Sequence, residues 1–234
     1  MNKINIISLF MGLFFIANPI FSQENNKIKI DKDLQLLALQ DSVFIHISWD
    51  KLEEYGRFSS NGLIIIRKGQ ALMVDTPMDN KKTKILTKYL SDSLNVTVVK
   101  HIGCHYHEDC IGGLPYLHSL GVESVANVLT VNICRTLNIE APDIPFHDSL
   151  QFTFNGLSIE CYYPGGGHTS DNIVVWLPEH KILFGGCLIK SANATNLGNI
   201  SDAIIPEWDI SIVNISKRYM DAVVVVPGHG DYGD

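Results

Sequence analysis

The sequence predicts an α/β fold in which two β-sheets pack face to face and helices cover their outer surfaces, a four-layer αββα sandwich. Three observations support this prediction. The 234 residues are 46% hydrophobic and 18% charged, which is enough for one sizeable core. Strand-like runs followed by helical spacing occur in both halves, and no linker rich in proline or serine separates the halves. A doubly wound parallel sheet would give a similar pattern, so the pattern alone leaves both arrangements open.

The N-terminus has a composition of its own. Lys3 is the only charged residue among residues 1–22, and an apolar run spans residues 4–17 before the small residue Ser22. That run is shorter than the roughly 20 apolar residues that a membrane-spanning helix needs. We therefore expect residues 1–22 to be a secretory signal peptide and residues 23–234 to form one mature domain without a membrane segment.

The charge balance restricts the kind of partner. Asp and Glu total 25 against 18 Lys and Arg, a formal net charge of −7. This acidity disfavours binding to nucleic acid through its phosphates and favours a small-molecule substrate. Five cysteines are too few for a disulfide scaffold, and their odd number leaves at least one thiol unpaired within the chain.

In the first half, clusters of β-branched and large apolar residues predict strands at 28–30, 43–47, 63–66, 71–74, 96–99 and 124–126. Helical spacing predicts helices over 79–91, 112–120 and 129–137. Residues 49–62 are polar with aromatic side chains among them, and two interpretations stay open, a mobile loop or a packed turn.

In the second half, the same signals predict strands at 150–154, 157–163, 173–177, 182–184 and 223–226. One helix is predicted over residues 209–219.

The most informative motif is His105-Tyr106-His107-Glu108-Asp109-Cys110, directly after a predicted strand. Two imidazoles and a carboxylate at alternate positions can converge on a cation where the backbone is extended or looped. These donor types suit zinc. A polar surface loop is the simpler alternative for this motif taken alone.

Three further potential ligands lie in glycine-rich turns after predicted strands. His168 follows three glycines, Cys187 follows two, and His229 lies between Gly228 and Gly230. Glycine lets the backbone turn sharply there, so that several strands can direct side chains toward one point. With the motif residues there are six donors, enough for two zinc ions with three protein ligands each. Three ligands and one open position are typical of a catalytic zinc, so the expected reaction is hydrolysis.

The sequence resembles the metallo-β-lactamases over nearly the whole chain after the signal peptide. His-x-His-x-Asp at 105–109 marks the wider superfamily, which includes thioester hydrolases, lactonases and nucleases. Those relatives usually have a second His after the motif Asp and a bridging Asp where this chain has Cys187. Here Cys110 follows Asp109, and GGGHTSDNIVVWLP at 165–178 and GNISDA at 198–203 look closest to the CcrA/CfiA-type carbapenemases.

The resemblance implies the αββα metallo-β-lactamase fold and two zinc ions per chain. It implies that one ion is held by His105, His107 and His168, and the other by Asp109, Cys187 and His229.

The resemblance also implies three catalytic residues, Asp109, Lys190 and Asn199. Lys190 would bind the carboxylate of the substrate, and Asn199 would help polarise the lactam carbonyl. Cys110 would lie behind the metal ligands, and Asp75 is expected to be a buried supporting or turn residue.

The implied activity is hydrolysis of the β-lactam ring of penicillins, cephalosporins and carbapenems by a zinc-bound hydroxide, which confers antibiotic resistance. We expect a periplasmic monomer whose partner is a small β-lactam. The family normally continues into a final helix beyond the position of Asp234. Two alternatives stay open: a thioester or lactone hydrolase of the same fold, and a secreted zinc-binding protein without turnover.

Overall fold

The structure, a computed structural model, describes residues 26–53 and 56–233; the expected signal peptide lies outside them. A first sheet contains β1 Lys27–Asp31, β2 Leu34–Gln40, β3 Val43–Leu52, β4 Gly56–Arg67, β5 Gln70–Val74, β6 Thr97–Gly103, β7 Glu123–Asn127 and β8 Ile144–Phe146. A second sheet contains β9 Ser149–Phe154, β10 Leu157–Tyr162, β11 Val174–Leu177, β12 Ile182–Gly186 and β13 Val224–Pro227. The helices are α1 Asn80–Leu94, α2 Glu108–Ile111, α3 Leu114–Ser119, α4 Val128–Leu137 and α5 Ile205–Arg218.

Both sheets are mixed. In the first, the strands follow chain order, antiparallel from β1 to β5 and parallel from β5 to β8. The second has the order β13-β12-β11-β10-β9, and only β12 and β13 are parallel. Parallel pairs need crossover connections, and α1 and α5 supply the longest of these.

Alternation along the strands divides the apolar side chains between two faces. Leu63 of β4 and Val175 of β11 belong to one core cluster that lies between the two sheets. Their neighbour Ile64 packs on the other face of the first sheet, with α1 and α3, and Val174 packs on the other face of the second, with α5. Successive side chains of a strand point to opposite faces of its sheet, and here both faces of each sheet are buried. Each sheet must therefore pack against the other sheet on one face and against helices on the other, which gives four layers. The predicted αββα sandwich is therefore confirmed, and one doubly wound sheet is not what the described residues form.

Local signals explain the bounds of α1. The side chain of Asp79 accepts a hydrogen bond of 2.7 Å from the backbone N–H of Lys82 and caps the start of the helix. Asn95 ends the helix in the left-handed conformation, with φ of 53°.

Two segments differ from the sequence-based expectation. Within the segment 49–62, residues 49–52 and 56–62 do not form the expected loop or packed turn but belong to β3 and β4, which pair there with Trp49 opposite Ser59 and Asp50 opposite Phe58. Residues 34–40, for which no strand was predicted, form β2 between β1 and β3. In both cases backbone pairing with neighbouring strands decides the conformation. Among the described helices, none has the length and apolar character needed to cross a membrane.

Candidate metal centre

The six predicted ligands come from four connections at one end of the sandwich. His105 and His107 follow β6, and Asp109 lies in the first turn of α2. His168 lies in the connection between β10 and β11. The remaining two donors, Cys187 and His229, follow the neighbouring strands β12 and β13. The structure thus brings all six together, and their donor atoms form three overlapping groups within 4.8 Å: His105, His107 and Asp109; His105, His168 and Cys187; Asp109, Cys187 and His229.

One group of donors forms a nearly equilateral triangle. The Sγ atom of Cys187 is 3.3 Å from Oδ2 of Asp109 and 3.3 Å from Nε2 of His229. Nε2 of His229 is 3.2 Å from Oδ2 of Asp109. Tetrahedral zinc with bonds of about 2.0–2.3 Å would separate its ligand atoms by roughly 3.3–3.6 Å. The triangle therefore fits zinc in size and in donor type.

The three histidines form a second cluster. The ring centroids of His105, His107 and His168 are 4.6, 4.9 and 5.2 Å apart, with interplanar angles of 75°, 87° and 83°. Nε2 of His105 is buried and has no hydrogen-bond partner among the described residues. A buried imidazole nitrogen without a partner is costly, and a metal ion would satisfy it. The donor type of this cluster suits zinc, and the groups within 4.8 Å join His105 to His107 in one case and to His168 in another.

Hydrogen bonds orient two of the rings. The Nδ1–H of His229 donates to the backbone carbonyl of Ser59 at 2.7 Å, so Nε2, which lies 3.2 Å from Oδ2 of Asp109, is the nitrogen available to a metal. Nε2 of His107 contacts Oδ2 of Asp202 at 3.1 Å, so its Nδ1 is the nitrogen left for a metal.

Cys110 lies behind His105. Its Sγ atom is 2.9 Å from the ring Nδ1, as expected for a supporting residue. Burial raises the pKa of the Cys110 thiol well above its usual value, so this sulfur is a neutral contact.

The electrostatic environment prepares three of the donors, His105, His168 and Asp109, for a cation. Burial lowers the pKa of His105 well below 6.5. Burial, helped by the charge of Lys190, lowers that of His168 to about 3. For Asp109, burial acts to raise the pKa, but the hydrogen bond from His229 and nearby histidine charges lower it overall. Burial and the neighbouring Asp109 raise the pKa of the Cys187 thiol to about 11, so this ligand would release a proton on binding metal.

Glycine is required at Gly228. A Cβ atom there would lie 2.6 Å from Sγ of Cys187 and 2.7 Å from its backbone nitrogen. The glycine also donates its N–H to the carbonyl of Gly186 at 2.7 Å, which joins the ends of β12 and β13. Close backbone approach therefore brings Cys187 and His229 to one point.

A cavity of about 790 Å³ opens above the donors, and His107, Asp109, His168 and His229 form part of its wall. The apolar part of its wall includes Leu52 and Phe58 of the β3–β4 hairpin, Leu137 and Ile139 at and after the end of α4, and Leu197 of the loop before α5.

Lys190 and Asn199 line the same cavity. Lys190 is half-buried, and burial lowers the pKa of its ammonium. The side-chain oxygen of Asn199 accepts from the backbone N–H of Ser201 at 3.0 Å and from its hydroxyl at 2.8 Å. Because the backbone N–H of Ser201 can only donate, the Asn199 atom that it contacts must be the amide oxygen. The amide NH₂ of Asn199 is then available to another acceptor.

Three supporting residues complete the site. Asp75 is buried with φ of 56°, and its carboxylate accepts from the backbone N–H of Cys104 at 2.8 Å, in keeping with the supporting position expected for it. Asp202 contacts His107 and Trp208 contacts Lys190, and neither residue is among those predicted from the sequence. Asp202 lies within the GNISDA run, whereas Trp208 precedes the predicted helix and had no signal of its own.

Comparison with known proteins places the chain in a family. It is 42% identical to the metallo-β-lactamase type 2 of Bacteroides fragilis over 215 residues, 92% of this chain and 86% of that protein. It is 38% identical to the metallo-β-lactamase type 2 of Bacillus sp. (strain 170), over 94% of this chain and 86% of that protein. A scan against profiles of protein families found no match.

The structure agrees. A solved metallo-β-lactamase from Pontibacter korlensis superimposes with a TM-score of 0.83 at 37% identity, covering 86% of this chain and 93% of that one. The fold and the donor set define a metal-dependent hydrolase of the αββα class. The chain belongs to the metallo-β-lactamase family.

Proposed function

We propose that this metallo-β-lactamase uses two zinc ions to hydrolyse penicillins, cephalosporins and carbapenems, and so confers resistance to them. The observation that carries the proposal is the convergence of six metal donors, four of which line a cavity that is also lined by the half-buried cation Lys190. When bound, zinc lowers the pKa of a bound water from 15.7 to about 7 and so supplies a nucleophile at neutral pH.

The donors divide into two sites in this proposal. His105, His107 and His168 would hold one ion, and Asp109, Cys187 and His229 the other. The perpendicular rings of the first set and the triangle of about 3.3 Å in the second support this division. With three protein ligands, each ion would keep one position open, as a catalytic zinc requires.

Lys190 and Asn199 would orient the substrate. The ammonium of Lys190 would pair with the carboxylate that β-lactams carry beside the lactam nitrogen. The free amide NH₂ of Asn199 would donate to the lactam carbonyl oxygen as negative charge develops there. Asp109, held ionised by its histidine neighbours, would keep a negative charge beside the reacting bond. The apolar walls of the cavity would contact the substituents of the lactam.

The test is a substrate panel measured on purified protein of known zinc content. We expect turnover of a penicillin, a cephalosporin and a carbapenem, loss of turnover with a strong chelator, and recovery with added zinc. A thioester and a lactone measured beside them separate this activity from other hydrolases of the same fold. Turnover of the thioester or lactone without lactam hydrolysis would contradict the proposal, as would full activity in a metal-free sample.

We also propose export to the periplasm by cleavage of residues 1–22, and action as a monomer. The composition of the N-terminus supports export. Fractionation of expressing cells with N-terminal sequencing of the mature protein tests the first proposal, and light scattering tests the second. Retention of residue 1 in the periplasmic protein, or a stable dimer, would contradict them.

A further inference from the structure

Trp208 lies in the first turn of α5, directly behind the candidate site. Its side chain is 7% exposed, and its indole N–H donates to the backbone carbonyl of Leu188 at 2.9 Å. Leu188 is the residue after Cys187. This hydrogen bond therefore connects α5 to the segment that contains both the candidate metal ligand Cys187 and Lys190.

The same indole lies against the ammonium of Lys190. The Nζ atom is 5.2 Å from the ring centroid, within the distance of a cation–π interaction. Among the described residues, no carboxylate forms an ion pair with Lys190. Because a lysine side chain has several freely rotating bonds, a charge without an anchor would occupy many positions.

Trp208 also reaches the metal ligands. Its ring centroid is 6.0 Å from that of His168, at an angle of 62°. One rigid indole thus contacts a candidate zinc ligand and the candidate substrate anchor at the same time. The distance between His168 and the Lys190 ammonium is then set by the Trp208 side chain, which contacts both.

We infer that Trp208 is a positioning residue that holds the Lys190 ammonium at a fixed distance from the metal ligands and so sets the affinity for the substrate carboxylate. The inference rests on the proposed anchoring role of Lys190. Trp208 touches no reacting atom. Its contribution is to preorganise Lys190 before the substrate arrives.

The experiment compares Trp208→Leu, Lys190→Ala and the double variant, each zinc-loaded, on a chromogenic cephalosporin and on its carboxylate methyl ester. We expect Trp208→Leu to raise KM for the free acid about five- to thirtyfold, the equivalent of about 1–2 kcal/mol, with zinc content unchanged. KM for the ester should not change. Adding Trp208→Leu to Lys190→Ala should raise KM no further, because the anchor is already absent.

A series of fluorinated tryptophans at position 208 guards against a folding defect. Fluorine withdraws charge from the ring face and leaves its shape nearly unchanged, so KM for the free acid should rise with each added fluorine. The Kd of the hydrolysed product, which retains the carboxylate, should rise in parallel. If Trp208 had a purely structural role, neither KM nor Kd would change with the number of fluorines.

The outcomes separate the inference from the proposed function. A rise in KM for Lys190→Ala together with an unchanged KM along the fluorinated series would refute the role of Trp208 alone. An equal effect of Trp208→Leu on acid and ester, or in the Lys190→Ala background, would refute it as well. An unchanged KM in Lys190→Ala itself would remove the proposed anchor, and the inference with it.

Discussion

His229 is oriented by a strand of the opposite sheet: its Nδ1–H donates to the backbone carbonyl of Ser59 in β4 at 2.7 Å. The same strand holds the segment around His229 through Asn61, whose side-chain amide donates to the carbonyls of Pro227 at 2.9 Å and Gly230 at 2.8 Å. A ligand of the candidate second zinc site is thus fixed by residues about 170 positions earlier in the chain. Supporting contacts of this kind commonly tune metal affinity.

Asn61→Ala is expected to weaken zinc binding at that site. The substitution leaves two carbonyls without their donor, which costs about 1–3 kcal/mol for each group that stays buried. Zinc affinity should fall about tenfold or more, measured by competition with a chromophoric chelator. Ser60→Ala is the matched control, because the Ser60 hydroxyl pairs with Ser48. Equal affinities in Asn61→Ala and the parent would show that His229 is held without Asn61.

Cys187→Ser is expected to empty one zinc site and keep the other. A serine hydroxyl is hardly ionised near pH 7 and is a harder, weaker ligand than a thiolate. Metal analysis after dialysis should give close to one zinc per chain, with much lower turnover. Two tightly held zinc ions in this variant would show that Cys187 is not a ligand.

Asn199→Ala is expected to lower kcat/KM for lactams by up to about a hundredfold through loss of a donor to the developing oxyanion. Asn199→Asp should be impaired at least as much, since a carboxylate would repel that charge. Asn196→Ala, in the same loop and cavity wall, is the control, and its amide oxygen accepts only a local bond from Gly198. Steady-state kinetics that rank Asn196→Ala with Asn199→Ala would argue against a specific role for Asn199.

Two buried histidines predict a loss of stability in acid. Burial lowers the pKa of His46 to about 4 and that of His101 to about 3. The unfolded chain binds these protons near pH 6.5, whereas the folded chain excludes them. Because the unfolded state then carries more protons, the free energy of unfolding falls as pH drops below about 6.5, by up to ~1.4 kcal/mol per pH unit for each ring.

Urea unfolding between pH 5 and pH 7 measures this slope. His46→Leu should be less stable at pH 7, because its hydrogen bond to the carbonyl of Asp75 is lost, but its stability should depend less on pH. By pH 5 the parent should have lost about 2 kcal/mol through this ring alone. His147→Gln, at an exposed position, controls for removal of a histidine. A slope in His46→Leu as steep as in the parent would contradict the prediction.

The sequence by itself determined much of the architecture and the candidate ligands. Continuous apolar runs marked β4, β5, β11 and β12, because both faces of these strands are buried, and alternating runs marked β9 and β10, which bury mainly one face. The residues 105–109 and the glycine turns before His168, Cys187 and His229 marked the donors, because each depends on local backbone geometry. These signals can be recognised without knowing which residues remote in the sequence are in contact.

Only the tertiary structure decided the rest. The extension of β3 over residues 49–52 and of β4 over residues 56–62 depends on pairing between the two strands, which is not encoded in the polar composition of either. The contact of His229 with Ser59, and that of Trp208 with Lys190, join elements that are remote in the chain or separated by a loop. The physical reason is common to all three: a local pattern reports which face of an element is buried, whereas an oriented side chain requires a partner that packing supplies.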